Sequence, residues 1–126
     1  MRTIKFRAQD FTGTWNYGFI AKGNVSAVLL PLRNDGSVMM GINIYVKPET
    51  IGQFTGIKDK NGQDVYEGDI VEVEDTHDGF VTKRCTVEFI DFGFWLVLDR
   101  LNEDGKKIYV SMCNESFKVV GNIHEV

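Results

Sequence analysis

The sequence predicts a mainly β protein, and three observations support this prediction. Val, Ile, Phe, Tyr and Trp number 39 of the 126 residues, whereas Ala and Leu together number only 9, a composition that favours strands over helices. Several segments alternate apolar with polar residues, as half-buried strands do. Turn signals containing Gly separate these segments at intervals of about 8–12 residues. We therefore predict a small antiparallel barrel of SH3-like character in the C-terminal half, with an N-terminal β subdomain packed on it.

The length of 126 residues fits one compact domain. We predict a single domain over residues 1–126. Pro48 is the boundary mark that the chain offers between two subdomains. The N-terminal subdomain would contain β hairpins over residues 1–53, and residues 54–126 would form the small β-barrel.

The first half has the pattern of two hairpins. Residues 3–8 alternate apolar with polar side chains, Thr12-Gly13-Thr14 is typical of a turn, and the alternation resumes at Trp15. Residues 24–32 and 37–46 form a second apolar pair around Asn34-Asp35-Gly36, where Asp-Gly favours the positive φ angles of a tight turn. Pro48 ends that pair, and residues 49–53 are compatible with one helical turn.

The second half has stronger turn signals. Asp59-Lys60-Asn61-Gly62 predicts a turn, and Gly68-Asp69 precedes a predicted strand over residues 70–74. Gly62 and Gly68 are expected to have positive φ, and the Asp69 carboxylate is expected to accept backbone N–H groups. Residues 92–98 are apolar on both faces, as in a central strand. From the phase of the strands we expect one shared core, which contains Val71, Val73, Val87, Phe89 and Trp95.

The charge is unevenly distributed along the chain. The net charge is −4, but residues 1–63 carry 8 basic and 4 acidic residues, whereas residues 64–126 carry 6 and 14. This balance argues against direct nucleic-acid binding, since nucleic-acid binders usually present a surplus of Lys and Arg. The acidic half offers a surface for a basic macromolecular partner, with binding residues Glu72, Glu74 and Asp78. In an alternative, the first half holds the phosphates of a small ligand or nucleotide in an oligomer, using Arg2, Lys5, Arg7 and Lys22.

Candidate reactive groups are few. Cys85 or Cys113 could act with His77 or His124 only if the fold brought them together, and no G-x-S-x-G nucleophile elbow is present. The carboxylates between residues 64 and 78 are compatible with a metal site or with a solvated edge that discourages strand pairing. We expect no catalytic residue, no metal and no cofactor, and we regard a hydrolase as the least favoured function.

The aromatic run Phe89, Phe92, Phe94 and Trp95 has two interpretations. It could stack the bases of a single-stranded nucleic acid. The interpretation that we favour is burial in the core, since basic residues are not interleaved with these rings.

Two cysteines and no apolar leader segment lead us to expect a cytoplasmic protein with reduced thiols. No window approaches 18 consecutive apolar residues, so we expect no membrane partner.

Three stretches resemble one family. They are residues 4–10, the nearly continuous motif over residues 53–71, and residues 120–125, which read Ile-Lys-Phe-Arg-Ala-Gln-Asp, Gln-Phe-Thr-Gly-Ile-Lys-Asp-Lys-Asn-Gly through Tyr-Glu-Gly-Asp-Ile-Val, and Val-Gly-Asn-Ile-His-Glu. They closely resemble the YopX family of phage and prophage proteins. The chain departs from the usual pattern at Gln9, Phe54 and His124, where the family typically has Trp, Tyr and Tyr. Residues 11–52 and 76–115 are not matched in detail, and partner specificity is expected there.

The resemblance implies a β-rich fold and a cytoplasmic location in a bacterial host cell. It carries over no catalytic residue, since the family has no established activity. Our leading hypothesis is a non-enzymatic phage accessory protein that binds a protein of host or phage, with inhibition of host defence as one concrete form. A homo-oligomer that binds a small ligand or nucleotide is the alternative.

Overall fold

The structure, a computed structural model, describes residues 5–22, 26–39, 41–75, 81–112 and 116–125. These residues form strands and short 3-10 structure, including the 3-10 helix Pro48–Thr50, with no α-helix among them. The strands are β1 (Phe6–Gln9), β2 (Trp15–Lys22), β3 (Ala27–Pro31), β4 (Ile44–Val46), β5 (Gly52–Lys58), β6 (Asp64–Tyr66), β7 (Asp69–Asp75), β8 (Val81–Ile90), β9 (Gly93–Leu101), β10 (Lys107–Ser111) and β11 (Phe117–Asn122). The prediction of a mainly β protein with antiparallel sheets is confirmed. The chain divides into two compact units, Met1–Phe54 and Thr55–Val126.

The first unit contains the two predicted hairpins. Its strands follow the order β4-β3-β2-β1-β5, and β5, within which the chain passes into the second unit, is next to β6. The β1–β2 hairpin is tightened by Asp10, whose carboxylate accepts the N–H groups of Thr12 and Thr14 at 2.9 and 3.0 Å. The second hairpin is shorter than predicted, because β4 has only three residues. A turn at residues 34–36 nevertheless forms where Asp-Gly predicted it, and Gly36 has a φ of +87°.

Each unit has its own core, as the alternation of its strands requires. In the first unit, one face of the sheet is buried by Ala8, Ala27, Leu29 and Val46, with Ile20, Ile44 and Ile51 packed against them. In the second unit, the core contains Val65, Val71, Val73, Cys85, Val87, Leu96, Leu98, Met112 and Phe117.

The second unit contains a five-stranded sheet with the order β10-β9-β8-β7-β11, and all of its pairs are antiparallel. The strand between residues 69 and 75 lies where the sequence predicted it. The strand apolar on both faces, β9, lies between two neighbours, as expected. Among the described strands this sheet is open, with β10 and β11 at its edges, so that no closed barrel is found.

The predicted core is right for three residues and wrong for two. Val71, Val73 and Val87 are buried together, but Phe89 is 48% exposed and Trp95 is 38% exposed. The register explains Trp95, because Val87 lies opposite Leu96 and Trp95 lies opposite Glu88 on the other face. Phe89 has the phase of the core, but its place in β8 is at the end of the strand, beside the turn.

We expect Leu96→Ala to lower the free energy of unfolding by about 2–5 kcal/mol, because Leu96 is fully buried and a cavity would remain. Phe89→Ala should cost markedly less, since half of that side chain is already in water. Urea denaturation of both variants measures the difference. Equal losses would show that Phe89 is buried as fully as Leu96.

Candidate functional site

The predicted acidic surface lies partly on the outer face of the second sheet, which we define as the face opposite the core. Glu72 and Glu74 alternate with buried Val71 and Val73 on β7 and therefore point to this face. Each has a lysine neighbour. Lys60 Nζ is 2.7 Å from a Glu74 carboxylate oxygen, and Lys118 Nζ is 3.7 Å from a Glu72 oxygen.

These ion pairs reduce the negative electrostatic potential that Glu72 and Glu74 would present to a partner. The hydrogen bond from Lys60, followed by the charge of Lys60, lowers the pKa of Glu74 from its usual value. Exposed pairs of this kind contribute little to stability. They do neutralise part of the acidic surface locally. Asp78, the third predicted binding residue, lies outside the described residues.

The basic residues proposed for a phosphate site contact aromatic rings in the first unit. Lys5 Nζ is 4.8 Å from the centroid of the Phe54 ring. Arg7 Cζ is 4.7 Å from the centroid of the Trp15 ring, and Arg7 is only 7% exposed. Arg7 therefore presents little surface to a ligand. Arg2 lies outside the described residues, as does the side chain of Lys22.

The predicted turn residues have well-defined backbone roles in the second unit. Gly62 and Gly68 have φ angles of +82° and +91°, a region that L side chains adopt only with strain. The Gly68 N–H donates to the Val87 carbonyl at 2.8 Å. Asp69 is 1% exposed, and its Oδ2 accepts the Tyr66 N–H at 2.8 Å. These residues therefore have a structural role, because their contacts form the turns next to the strands of the second unit.

Asp59 has a larger role than its place in a turn motif indicated. Its Oδ1 accepts the N–H groups of Asn61 and Gln63, each at 2.9 Å. Its Oδ2 accepts the N–H of Val119, also at 2.9 Å, although Val119 is 60 residues away in the sequence. One buried carboxylate thus joins the turn after β5 to strand β11.

An unusual turn joins β8 to β9. Ile90 lies opposite Gly93 in the register, so the turn has only two residues. They are Asp91 and Phe92, with φ angles of +47° and +71°, and they are the two non-glycine residues with positive φ in the described part of the chain. Two-residue hairpins with positive φ at both positions normally use Asn-Gly or Asp-Gly. A non-glycine residue there costs roughly 1–2 kcal/mol.

Aromatic side chains surround this turn. The favoured burial of the aromatic run in the core is confirmed for Phe94, which packs against the core. It is wrong for Phe92, as it is for Phe89 and Trp95. Phe92 is 99% exposed, and Phe89, beside it, contacts Phe94 edge to face with ring centroids 5.0 Å apart. On the outer face, Trp95 on β9 is 38% exposed and Tyr109 on β10 is 47% exposed. We name this set, Phe89, Phe92, Phe94, Trp95 and Tyr109, the aromatic hairpin end.

A shallow pocket opens at the aromatic hairpin end. It has a volume of about 320 Å³ and is lined by Ile90, Asp91, Trp95 and Tyr109. Tyr109 reaches this pocket because it lies opposite Val97, two residues along β9 from Trp95 and on the same face. Sequence reasoning missed Tyr109, since only the strand register places it beside Trp95.

Of the predicted reactive groups, Cys85 and His124 lie among the described residues. Cys85 is 1% exposed within the core, and His77 and Cys113 lie outside the described residues. The residues that the structure describes contain no group of three or more His, Cys, Asp or Glu side chains that could hold a metal ion. They also contain no helix of the length and apolarity needed to cross a membrane.

Comparison with known proteins identifies a family. The sequence model described as YopX protein matches residues 4–126, almost the whole chain. No curated protein matches the chain. The matched region includes the Asp59 and Gly68 turns and also the aromatic hairpin end.

We expect Asp59→Asn to lower the free energy of unfolding by about 1–3 kcal/mol. An amide group must turn an N–H toward either Val119 or the Asn61 and Gln63 pair, where it meets another donor. Asp35→Asn is the matched control, because Asp35 lies in an exposed turn and accepts only from Ser37 among the bonds that the structure shows, through one oxygen.

Stability should also fall in acid. Burial raises the pKa of Asp59, but the N–H groups of Val119, Gln63 and Asn61 outweigh it and leave the pKa below its usual value. Because its pKa is lowered, the Asp59 carboxylate stabilises the fold at pH values above its unfolded pKa of about 3.9. This stabilisation is lost as the pH falls through the pKa of the folded state. Urea denaturation from pH 6 to pH 2 should show a smaller acid loss for Asp59→Asn. If the free energy of unfolding falls equally with pH in Asp59→Asn and in the unsubstituted chain, the role of Asp59 in acid sensitivity is wrong.

Proposed function

We propose that this chain, which belongs to the YopX family, is a non-enzymatic binding module that holds a protein of host or phage against the aromatic hairpin end. The observation that carries this proposal is Phe92. Its ring is 99% exposed at the tip of a two-residue turn in which both residues have positive φ. We place this activity in the cytoplasm of a bacterial cell.

Phe92 is costly in two independent ways. The exposed ring leaves apolar surface in water, and the left-handed backbone costs more for Phe than for Gly. Neither cost is offset by burial of Phe92 in its own fold. Backbone strain of this kind concentrates at functional sites, where it holds a side chain in place for use.

The surrounding residues make a suitable protein-binding surface. Tryptophan and tyrosine contribute most of the binding energy at many protein interfaces, and the aromatic hairpin end exposes one of each. It is also rigid, because β8 and β9 pair continuously from Cys85 opposite Leu98 to Ile90 opposite Gly93. A rigid surface loses little entropy on binding.

A protein partner is favoured over a nucleic acid. Glu88 lies opposite Trp95, and Asp91 lines the pocket. Both carboxylates would repel the phosphates that follow every base in a stacked strand. The acidic residues Glu72 and Glu74 remain the electrostatic part of the proposal, and they would steer a basic partner with a salt-dependent association rate.

The residues of the family motif have a structural role that differs from the binding role proposed for the aromatic hairpin end. Asp59, Gly68 and Asp69 are engaged in backbone contacts that form turns. The aromatic hairpin end lies outside the motif over residues 53–71. The surface proposed to bind a partner is therefore separate in sequence from the residues that form these turns.

Phe92→Gly separates a functional role from a structural one. Because glycine relieves the strain of the left-handed backbone, this substitution should leave the free energy of unfolding unchanged or raise it by up to about 1 kcal/mol. Phe11→Gly is the control, since Phe11 is also exposed, at 70%, in a turn, but is not among the residues with positive φ. It should lose stability, as Gly usually does. Urea denaturation measures both, and equal losses would refute the strain at Phe92.

Binding is tested with the same pair of variants. Tagged full-length chain is isolated from cells of its natural bacterial host, and co-purified proteins are quantified by native mass spectrometry. We expect a partner that is retained by Phe11→Gly and lost by Phe92→Gly. A partner retained equally by both variants, or a co-purified nucleic acid in its place, would overturn the proposal.

A further inference from the structure

We infer that the pocket at the aromatic hairpin end binds an arginine side chain of the protein partner. This inference rests on the proposed function and deepens it, since it names the chemistry that the partner must present. The pocket is lined by two aromatic rings, one carboxylate and one aliphatic side chain, contributed by Trp95, Tyr109, Asp91 and Ile90. Aromatic faces combined with a carboxylate are complementary to an organic cation.

Two acidic residues lie near the Trp95 side of the pocket. Asp91 is exposed at its rim, and Glu88 lies opposite Trp95 on the neighbouring strand. On β10, the basic residue Lys107 lies opposite Leu101 and two residues from Tyr109. At the Trp95 side of the pocket, a cation meets ring faces of negative potential and the carboxylates of Asp91 and Glu88.

The size and openness of the pocket favour binding of a side chain of a protein over binding of a free metabolite. Its volume of about 320 Å³ is at the lower limit of pockets that enclose small ligands. The pocket is shallow, so a bound molecule would remain largely in water unless a larger partner covered it. A partner segment lying across Phe92 would supply that cover.

Arginine fits better than lysine. A guanidinium group is planar, stacks on aromatic faces and binds a carboxylate through two parallel N–H donors. The first unit of this chain contains such a stack, with Arg7 Cζ 4.7 Å from the centroid of the Trp15 ring. In the pocket, the guanidinium would stack on Trp95 and donate to the Asp91 carboxylate. Lysine would offer only a compact, strongly hydrated point charge.

The backbone strain of the turn is consistent with this role. Asp91 has a φ of +47°, and the short turn holds its carboxylate at the pocket rim while placing Phe92 at the tip. Asp or Asn in this position adopts left-handed backbone more readily than most residues. The same turn therefore presents the charge for the arginine and the ring for the rest of the partner.

The inference is tested by NMR titration of the full chain with acetyl-Gly-Arg-Gly-amide. We expect the Trp95 indole N–H signal to shift, with weak, millimolar-range affinity that falls as salt is added. The citrulline peptide, which has the same shape without the charge, should bind about tenfold more weakly. Asp91→Asn should weaken arginine binding about fivefold or more and remove most of the salt effect, whereas Asp104→Asn in the exposed β9–β10 turn should not.

The outcomes separate this inference from the proposed function. Equal binding of arginine and citrulline peptides, or equal binding of a lysine peptide, would overturn the arginine assignment. Shifts confined to the Trp15 indole would overturn the location. If arginine binding fails while a partner is still captured through Phe92, only the pocket inference is wrong. If arginine binds but no partner depends on Phe92, the proposed function is wrong and the pocket stands.

Discussion

The carboxylate of Asp59 is the contact on which the second unit depends. Its two oxygens accept N–H groups from Asn61, Gln63 and Val119, so the turn after β5 is held to β11. From β11 the connection continues through continuous strand pairs to β7, β8 and β9. The position of the aromatic hairpin end follows from this series of pairs. A neutral residue at position 59 could not satisfy all three donors at once.

The turn residues of the family motif and the exposed aromatic residues lie in different parts of the chain. The residues of the family motif that the structure shows in detail are turn residues, with Gly68 at positive φ and Asp69 bonded to the Tyr66 N–H. The exposed aromatic residues lie outside that motif. The turns and the surface proposed to bind a partner therefore lie in different stretches of the sequence.

The turn at Asp91 and Phe92 combines backbone strain with an exposed aromatic ring. A glycine at position 92 would suit the backbone better. Outside this turn, the left-handed positions of the described residues are occupied by glycine, as at Gly62 and Gly105. Asp adopts this conformation more readily than most residues, so Phe92 is the less expected of the two residues in the turn. The strained backbone and the exposed ring at Phe92 are the two observations on which the proposed partner contact rests.

Sequence alone determined the β class, the turns at Gly36 and Gly62, and most strands, because alternation and turn chemistry act over a few residues. It placed Val71, Val73 and Val87 in the core for the same reason. It could not place Trp95, since β9 is apolar on both faces and alternation then defines no inward side. The register against β8 decided that Leu96 is buried and Trp95 is exposed. Only tertiary structure brought Tyr109 beside Trp95, because pairing between strands, and not spacing along the chain, determines which side chains share a face.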